Sequence, residues 1–446
     1  MLKDTAAAIG ANAQHCDSRS LLLDRFVDPT AKEEVRKRHF TDAMCRSAKK
    51  SKIESWFLFS EHLIEKKNST ALHAQLQARL MVNMSGGLME NDGLCLDRYG
   101  MPYVPGSAVK GCARRAALAA LREWCEAGQK PADDDNLFAE SWAKLNAPAD
   151  MLAAIALVFG WVDVDWKDSS DFAWACGNQK DPVWKDAAEL LAKQFAWKIE
   201  PKHQLTPWQS LPNFAGRVAF MPAYPVDLGR IGNLDGLSYS IPEVGKLELD
   251  VVTSHHPDYY SRNIPLATDT EDPNPVIFPA VAPGHVFGFM LSPLRQCETT
   301  LIEYARVWLA TGLSVFGIGA KTNAGYGWFD CSKEVNGSVV KIQTQKNAEI
   351  HQQMRDLETK RLEKERLAKA TPEDQKKIEY LKMEDQKFAD QAKRIEAMSD
   401  VEKLGFLSAL GDSTKKETHK RWRKNKPELI KPWLEYSQKL NLQTQL

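Results

Sequence analysis

The sequence has no Cys-x-x-Cys pair, no apolar run long enough to cross a bilayer and no net charge, and each absence removes a class of function. Its eight cysteines, Cys16, Cys45, Cys95, Cys112, Cys125, Cys176, Cys297 and Cys331, are scattered without zinc-ligand spacing, so free thiols are expected. The longest apolar stretch, Met151 to Val162, covers 12 residues, whereas a membrane-spanning helix needs about 20. The opening from Met1 to Thr5 has neither the charged nor the apolar part of a secretory leader. A cytoplasmic protein with no membrane association is therefore expected. Lys and Arg total 59, as do Asp and Glu, and the formal net charge is zero. No global field draws nucleic acid to such a chain, so any binding of that kind rests on local patches.

The 446 residues are 43% hydrophobic and 26% charged, ordinary figures for a globular protein with room for two or three domains. Residues 1–70 read as a basic-leaning helical segment, with Arg36, Lys37, Arg38, Arg46, Lys49 and Lys50 between Lys32 and Lys52. A solvated helix face and contact with a phosphate backbone both fit that run. From His73 the pattern changes to period two. Leu76, Leu80 and Val82 share one parity and Gln75, Gln77 and Arg79 the other, as in a half-buried strand ended by Ser85, Gly86 and Gly87. Leu94 to Val104 is a second extended stretch, turning at Tyr99 and Gly100. Pro105 and Gly106 then open a strong helix to about Trp124, with Ser107 as its expected N-cap.

Residues 131–208 mix Asp/Trp-rich loops with one helix near Asp186 to Trp197. Further strands are expected at Gly216 to Met221, Leu247 to Val252, Val276 to Phe278 and His285 to Leu291. A proline- and acid-containing loop runs from Asp258 to Pro275, and a helix from Thr299 to Ala310. Strands and helices interleaved in this way point to an α+β fold. Past residue 343 the composition becomes charged and glycine-poor, marking 343–446 as a long helical extension. Thr371 followed by Pro372 sets a helix start, and Ser399-x-x-Glu402 and Thr414-x-x-Glu417 have the form of capping boxes. Ile378, Leu381, Phe388, Ala392 and Ile395 approximate a heptad seam for one partner helix. Between Lys415 and Lys431, eight basic residues stand against two acidic ones, interleaved with Trp422 and followed by Trp433. An RNA-facing patch and a charged helix packed through its tryptophans both fit.

The densest functional signal is Gly317-Ile-Gly-Ala-Lys-Thr-Asn-Ala-Gly-Tyr-Gly327, with four glycines in eleven residues. Thr322 stands where a Rossmann fingerprint needs its third small residue, and no glycine precedes a Gly-Lys-Ser/Thr as a P-loop requires. Glycines spaced by one residue let successive amides converge on an anion such as phosphate; a plain structural turn is the alternative. At the helix that follows Pro105, Lys110 and Arg114 share a face, with Arg115 and Arg122 beside them. Cations near a helix start oppose its dipole, a conflict that a phosphate bound there removes.

The segment Tyr103-Val-Pro-Gly-Ser-Ala-Val-Lys-Gly-Cys-Ala-Arg114 resembles the Pro-Gly-Ser-x-x-Lys-Gly-x-x-Arg motif of the RAMP superfamily, the RNA-binding subunits of CRISPR effector complexes. The glycine segment resembles that superfamily's C-terminal glycine-rich loop. Gly216 to Pro225, Leu249 to Tyr260 and Asp272 to Pro279 narrow the likeness to the sixth-subunit family of the Cmr (type III-B) complex. It covers about residues 70–333 and leaves out both ends. The resemblance implies a ferredoxin-like (RRM-like) core with insertions over 71–342 and a ribonucleoprotein subunit that holds CRISPR RNA near its 3′ part in antiviral defence. The implied partners are that RNA, other Cmr-type RAMP subunits and, indirectly, target RNA; no cofactor is implied. The RNA-contact positions carried over are Lys110, Arg114, Gly317, Gly319, Lys321, Thr322, Asn323, Gly325 and Tyr326. Amides and lysines there hold phosphates, and the Tyr326 ring stacks on a base.

An RNA endonuclease is the alternative. His255 and His256 have the chemistry for general acid–base cleavage, yet adjacent histidines on an extended segment point to opposite faces. Asp163, Asp165, Asp168 and Asp171 form either a Mg²⁺-coordinating cluster or an exposed loop between Trp161 and Trp174. Asp269 and Asp272 resemble the loop aspartate of RNA-cutting RAMP subunits. The family this chain resembles is not the cutting one, so that role is not carried over. The expectation is a non-catalytic scaffold with no metal.

Overall fold

A computed structural model describes residues 18–440 except 27–29, 47–50, 83–93, 132–144, 199–205, 229–238, 269–273 and 295–296, together with residues 7, 10 and 16. Lys49, Lys50, Ser85, Gly86, Gly87, Asp269 and Asp272 lie outside the described residues. The chain divides into two compact units, residues 1–347 and 348–446. No helix among the described residues is long and apolar enough to cross a membrane.

The first unit opens with helices α1 (Arg19–Asp24), α2 (Glu33–Met44) and α3 (Ser51–Lys67). Of these, α2 buries Phe40 and Ala43 and leaves Lys37 and Arg38 in solvent. Strand β1 (Thr70–Leu76) leads to α4 (Gly106–Ala127), α5 (Pro148–Phe159), β2 (Gly160–Trp161), α6 (Asp171–Cys176) and α7 (Lys180–Gln194). Next come β3 (Phe214–Ala215), β4 (Val218–Phe220), β5 (Tyr224–Pro225), β6 (Leu247–Ser254), α8 (Pro257–Tyr260), β7 (Asn274–Val281) and β8 (Val286–Pro293). Helix α9 (Thr299–Thr311), β9 (Phe329–Asp330) and the start of α10 (Lys333–Lys369) complete it.

Mixed helix and sheet give an α+β fold. The main sheet is antiparallel, in the order β4-β8-β1-β9, with β5 also pairing β8. Strands β6 and β7 form a separate hairpin, from Leu247 opposite Val281 to Ser254 opposite Asn274. A bridge between Leu80 and Val281 ties the hairpin to the segment after β1. Helices α4 and α9 share a core with Leu72, Leu76, Phe287, Phe289 and Leu291 on one sheet face. Val109, Ala113, Ala116, Ala117 and Leu121 give α4 its buried stripe.

The alternation expected around β1 is absent, because the other face is covered too. Trp56 of α3, Val335 and Val339 of α10, and Val226, Leu228 and Val244 pack there with Val286 of β8. Gln75 is 0% exposed and pairs its amide with the carbonyl of Tyr239 at 2.7 Å and that of Gly284 at 3.2 Å. A buried amide satisfied in this way costs little.

Other expectations shift with the packing. Ser107 is not the N-cap: α4 begins at Gly106 with Pro105 in the N-cap position and no side-chain cap, and Ser107 lies exposed in the first turn. Helix α7 runs Lys180–Gln194 rather than Asp186 to Trp197. Helix α5 was not expected at all. Ten of its twelve residues are buried, so the one-sided period that marks a surface helix is missing.

His285 contributes a pH-dependent part of this unit's stability. It is 2% exposed, with Nε2 accepting from the amides of Gly245 (3.0 Å) and Lys246 (3.1 Å). That leaves Nδ1 as the donor to the Ala282 carbonyl at 2.7 Å, so the neutral ring is fully satisfied. Burial first, then the charges of Arg19 and Lys246, hold its pKa down to about 4 from 6.5. Because the folded value lies below the unfolded one, the contribution is complete above pH 6.5 and is lost as pH falls to 4. It amounts to about 3 kcal/mol. Urea midpoints measured across that window should fall in the parent and fall less in His285→Gln.

The second unit holds α11 (Pro372–Leu381), α12 (Asp385–Ala392), α13 (Asp400–Leu410), α14 (Lys416–Asn425) and α15 (Pro427–Lys439). Thr371 caps α11, and the Ser399–Glu402 capping box forms at α13. The second expected box does not. Asp412 accepts from the Thr414 amide at 3.1 Å, and α14 starts at Lys416 without a side-chain cap. No heptad seam exists either, since α11 ends at Leu381 and a turn separates it from Phe388. Instead Tyr380, Phe388, Phe406, Trp422 and Trp433 meet in one core, with Phe388 and Phe406 stacked at 4.5 Å and Phe406 and Trp433 at 4.3 Å.

Candidate nucleic-acid interface

The glycine loop is positioned by a close crossing of helices. A Cβ on Gly312 would sit 2.7 Å from the Cys112 carbonyl oxygen, so glycine there lets the end of α9 touch α4. One wide turn, Gly312–Phe316, then delivers the chain to Gly317. On α4, Ala108, Gly111, Cys112 and Arg115 fall on one stripe by helical spacing. With Val82 and residues 317–320 they line an open groove of about 430 Å³.

Arg115 is the cation of this groove. Its guanidinium carbon lies 4.5 Å from the centre of the Phe316 ring, and the side chain is exposed with no carboxylate partner among the described residues. In the sequence Arg115 stands only as a neighbour of Arg114; its i, i+4 relation to Gly111 is the available signal. Arg114 faces elsewhere. It pairs with Asp165 at 3.2 Å and with Asp171, and lies over Phe172 at 5.4 Å. Asp168 in turn pairs with Lys180 at 2.5 Å. Burial raises the Asp165 pKa against the opposing pull of Arg114. Lys110 has no ion pair or hydrogen bond among the described residues, and burial followed by the charge of Arg114 lowers its pKa. An anion beside it would relieve both effects.

Backbone crossings explain most of the loop's glycines. A Cβ on Gly319 would meet the Met81 carbonyl oxygen at 2.1 Å, and one on Gly327 the Ile318 carbonyl oxygen at 1.9 Å. The amides of Ile318, Ala320 and Gly327 are taken by Gly327, Met81 and Arg79, and those of Ala324, Gly325 and Tyr326 by Lys321 and Thr322. The Gly319, Lys321, Thr322 and Asn323 amides have no backbone acceptor among the described residues. Gly317 is buried, while Gly319, Asn323 and Gly325 are exposed.

The hairpin holds the loop from the other side. Lys321, in a left-handed conformation at φ 56°, sets its ammonium 4.6 Å from the centre of the Phe278 ring. The Tyr326 hydroxyl donates to Asp250 of β6, which also takes Arg79 at 3.1 Å. Burial and that carboxylate push the Tyr326 pKa up to about 12. His255 and His256 follow the end of β6. His255 is exposed, and His256 Nδ1 lies 3.2 Å from the Thr268 carbonyl. Among the described residues no cluster of His, Cys, Asp and Glu is arranged to hold a metal ion.

The sequence profile of the RAMP superfamily matches residues 85–330. Among curated proteins, the CRISPR system Cmr subunit Cmr6 of Pyrococcus furiosus is 27% identical over 266 residues, spanning 58% of this chain and 68% of that protein. Among solved structures, the crystal structure of Cmr6 from Pyrococcus furiosus aligns over 58% of this chain and 97% of that one, at 19% identity and a TM-score of 0.27. The cryo-EM structure of the type III-B Cmr-beta bound to cognate target RNA aligns over 74% of this chain and 86% of that one, at 16% identity and a TM-score of 0.33.

Proposed function

Because this chain belongs to the RAMP superfamily, we propose that it is a non-catalytic RNA-binding subunit of a type III-B (Cmr) effector complex acting in antiviral defence. It holds CRISPR RNA near its 3′ part through phosphate contacts. Its neighbours are other Cmr-type RAMP subunits, with target RNA reached indirectly. The observation that carries the reading is the groove between α4 and the glycine loop, where, among the described residues, Arg115 lacks a carboxylate partner and the Gly319 amide lacks a backbone acceptor, with Lys110 outside the groove on the same helix. Likeness to a Cmr subunit over 58% of the chain supports the assignment to that complex. A ferredoxin-like core within residues 71–342 is supported by the chain order β1, α4, β4, β8, α9, β9 combined with the sheet order β9-β1-β8-β4.

In this reading Lys110, Arg115 and Lys321 meet phosphates, and Thr322, Asn323, Gly325 and Tyr326 form the loop surface along the strand. Gly317 keeps the loop in place, and Arg114 reaches a phosphate by exchanging Asp165 and Asp171 for it. Asp165, Asp168 and Asp171 compensate the protein's own cations, and His256 is tied to a backbone carbonyl; both fit a scaffold better than a nuclease.

The test is the full-length triple variant Lys110→Ala, Arg115→Ala and Lys321→Ala titrated with single-stranded RNA over a range of KCl. Three lost phosphate contacts should reduce the salt slope by about 2, and the affinity loss should be alike for unrelated sequences. A loss confined to one sequence contradicts the phosphate reading. RNA incubated with the parent and Mg²⁺ should stay intact; specific cleavage abolished by His256→Ala would sink the scaffold.

A further inference from the structure

The second unit carries a charged face that the groove does not use. Helix α14 buries Thr418, His419 and Trp422, and α15 buries Leu429, Ile430 and Trp433. That burial fixes which way the cations point. On one flank Asp385 takes Lys415 at 3.5 Å, Arg421 at 2.6 Å and the Thr418 hydroxyl at 3.1 Å, so those charges are compensated within the unit. On the face opposite the buried stripe, Lys416, Lys420 and Lys424 stand exposed at i, i+4 and i+8, and Lys426 and Lys431 are exposed beyond them. Among the described residues Lys420 pairs with the exposed Glu417 alone, at 3.4 Å. Among the described residues the ammonium groups of Lys416, Lys424, Lys426 and Lys431 have no ion-pair or hydrogen-bond partner.

Like charges four residues apart on a helix repel, so this stripe works against the helix that carries it. A bound polyanion removes that conflict. Four residues rise about 6 Å along a helix, which lets successive ammonium groups meet successive phosphates of one strand. The face also lacks what a protein partner needs. Within 416–431 every exposed residue is polar except Pro427, so there is no aliphatic or aromatic anchor to form an apolar interface centre. A phosphodiester backbone needs cations alone. We propose that the α14–α15 face is a second nucleic-acid-binding surface, taking the phosphodiester backbone of an RNA strand without reading its bases.

The experiment uses the full chain and a uridine homopolymer, with affinity measured against KCl concentration. Lys416→Gln, Lys424→Gln, Lys426→Gln and Lys431→Gln together should lower the salt slope by about 2 to 3. The corresponding four Lys→Arg changes should keep the parent slope. Made in the triple groove variant, the four Gln changes should remove a similar increment, so this surface and the groove stand or fall separately. An unchanged slope in a Gln variant that melts like the parent overturns the proposal. So does an equal loss in the Arg variant, which would mean a structural effect. Loss of a copurifying acidic protein with the RNA slope intact would assign the face to a protein partner instead.

Discussion

Gly327→Ala collapses the glycine loop, whereas Gly325→Ala leaves it standing. Both residues have positive φ, 68° and 89°, so alanine pays left-handed strain of about 1–2 kcal/mol at either position. They differ in what a side chain would meet. At Gly325 nothing lies within 4 Å of the added carbon; at Gly327 the Ile318 carbonyl oxygen lies at 1.9 Å. That carbonyl is backbone and has no rotamer into which to retreat. Moving it breaks the Ile318 amide's bond to the Gly327 carbonyl (2.9 Å), and the Gly327 amide's bond to Arg79 (2.9 Å) goes with it. Two lost bonds and the strain together cost about 4 kcal/mol or more. Amide exchange at Ile318 and Gly327 should rise to the unprotected rate in Gly327→Ala, with RNA affinity lost in parallel. In Gly325→Ala both should stay close to the parent. Equal effects at the two positions would show that conformation alone, rather than the backbone crossing, dictates glycine here.

Trp433→Ala is expected to melt the helical core of the second unit. The side chain is 0% exposed, stacks on Phe406 at 4.3 Å and donates Nε1–H to the Ala392 carbonyl at 3.0 Å. Removing a buried tryptophan costs about 3–5 kcal/mol, against a total of about 5–15 kcal/mol for a typical domain. Exchange protection across α11 to α15 should fall sharply. Trp433→Phe fills much of the same space and leaves only the Ala392 carbonyl without its donor, so its loss should be about 1 kcal/mol. Full protection in the alanine variant would mean that the core does not depend on this residue.

The longer strands β1, β6, β7 and β8, helix α4 and the glycine loop were legible because their signals are local: apolar runs, period-two or helical spacing and a glycine cluster. What the sequence concealed is decided across long separations. Arg114 and Arg115 are adjacent cations of equal promise until Asp165 and Asp171, 51 and 57 residues away, claim the first. Helix α5 lacks a polar face because other elements enclose it, so its periodicity vanished with its exposure. Ile378 to Ile395 kept heptad spacing in the sequence, but the turn after Leu381 folds that line back into a core shared with Phe406 and Trp433. Ser107 is a good N-cap residue placed two steps too late. The backbone of Phe220 sets the start at Gly106, where a Cβ would lie 2.3 Å from its carbonyl oxygen.

The covering over the second face of the sheet has one more consequence. RRM-type sheets recognise RNA by stacking bases on an open platform of aromatic side chains. Here Trp56, Val335 and Val339 roof that platform. In the proposed role, an RNA strand would meet helix ends and loop amides rather than an open aromatic sheet face. The proposed contact is therefore one to the sugar-phosphate part that every transcript shares.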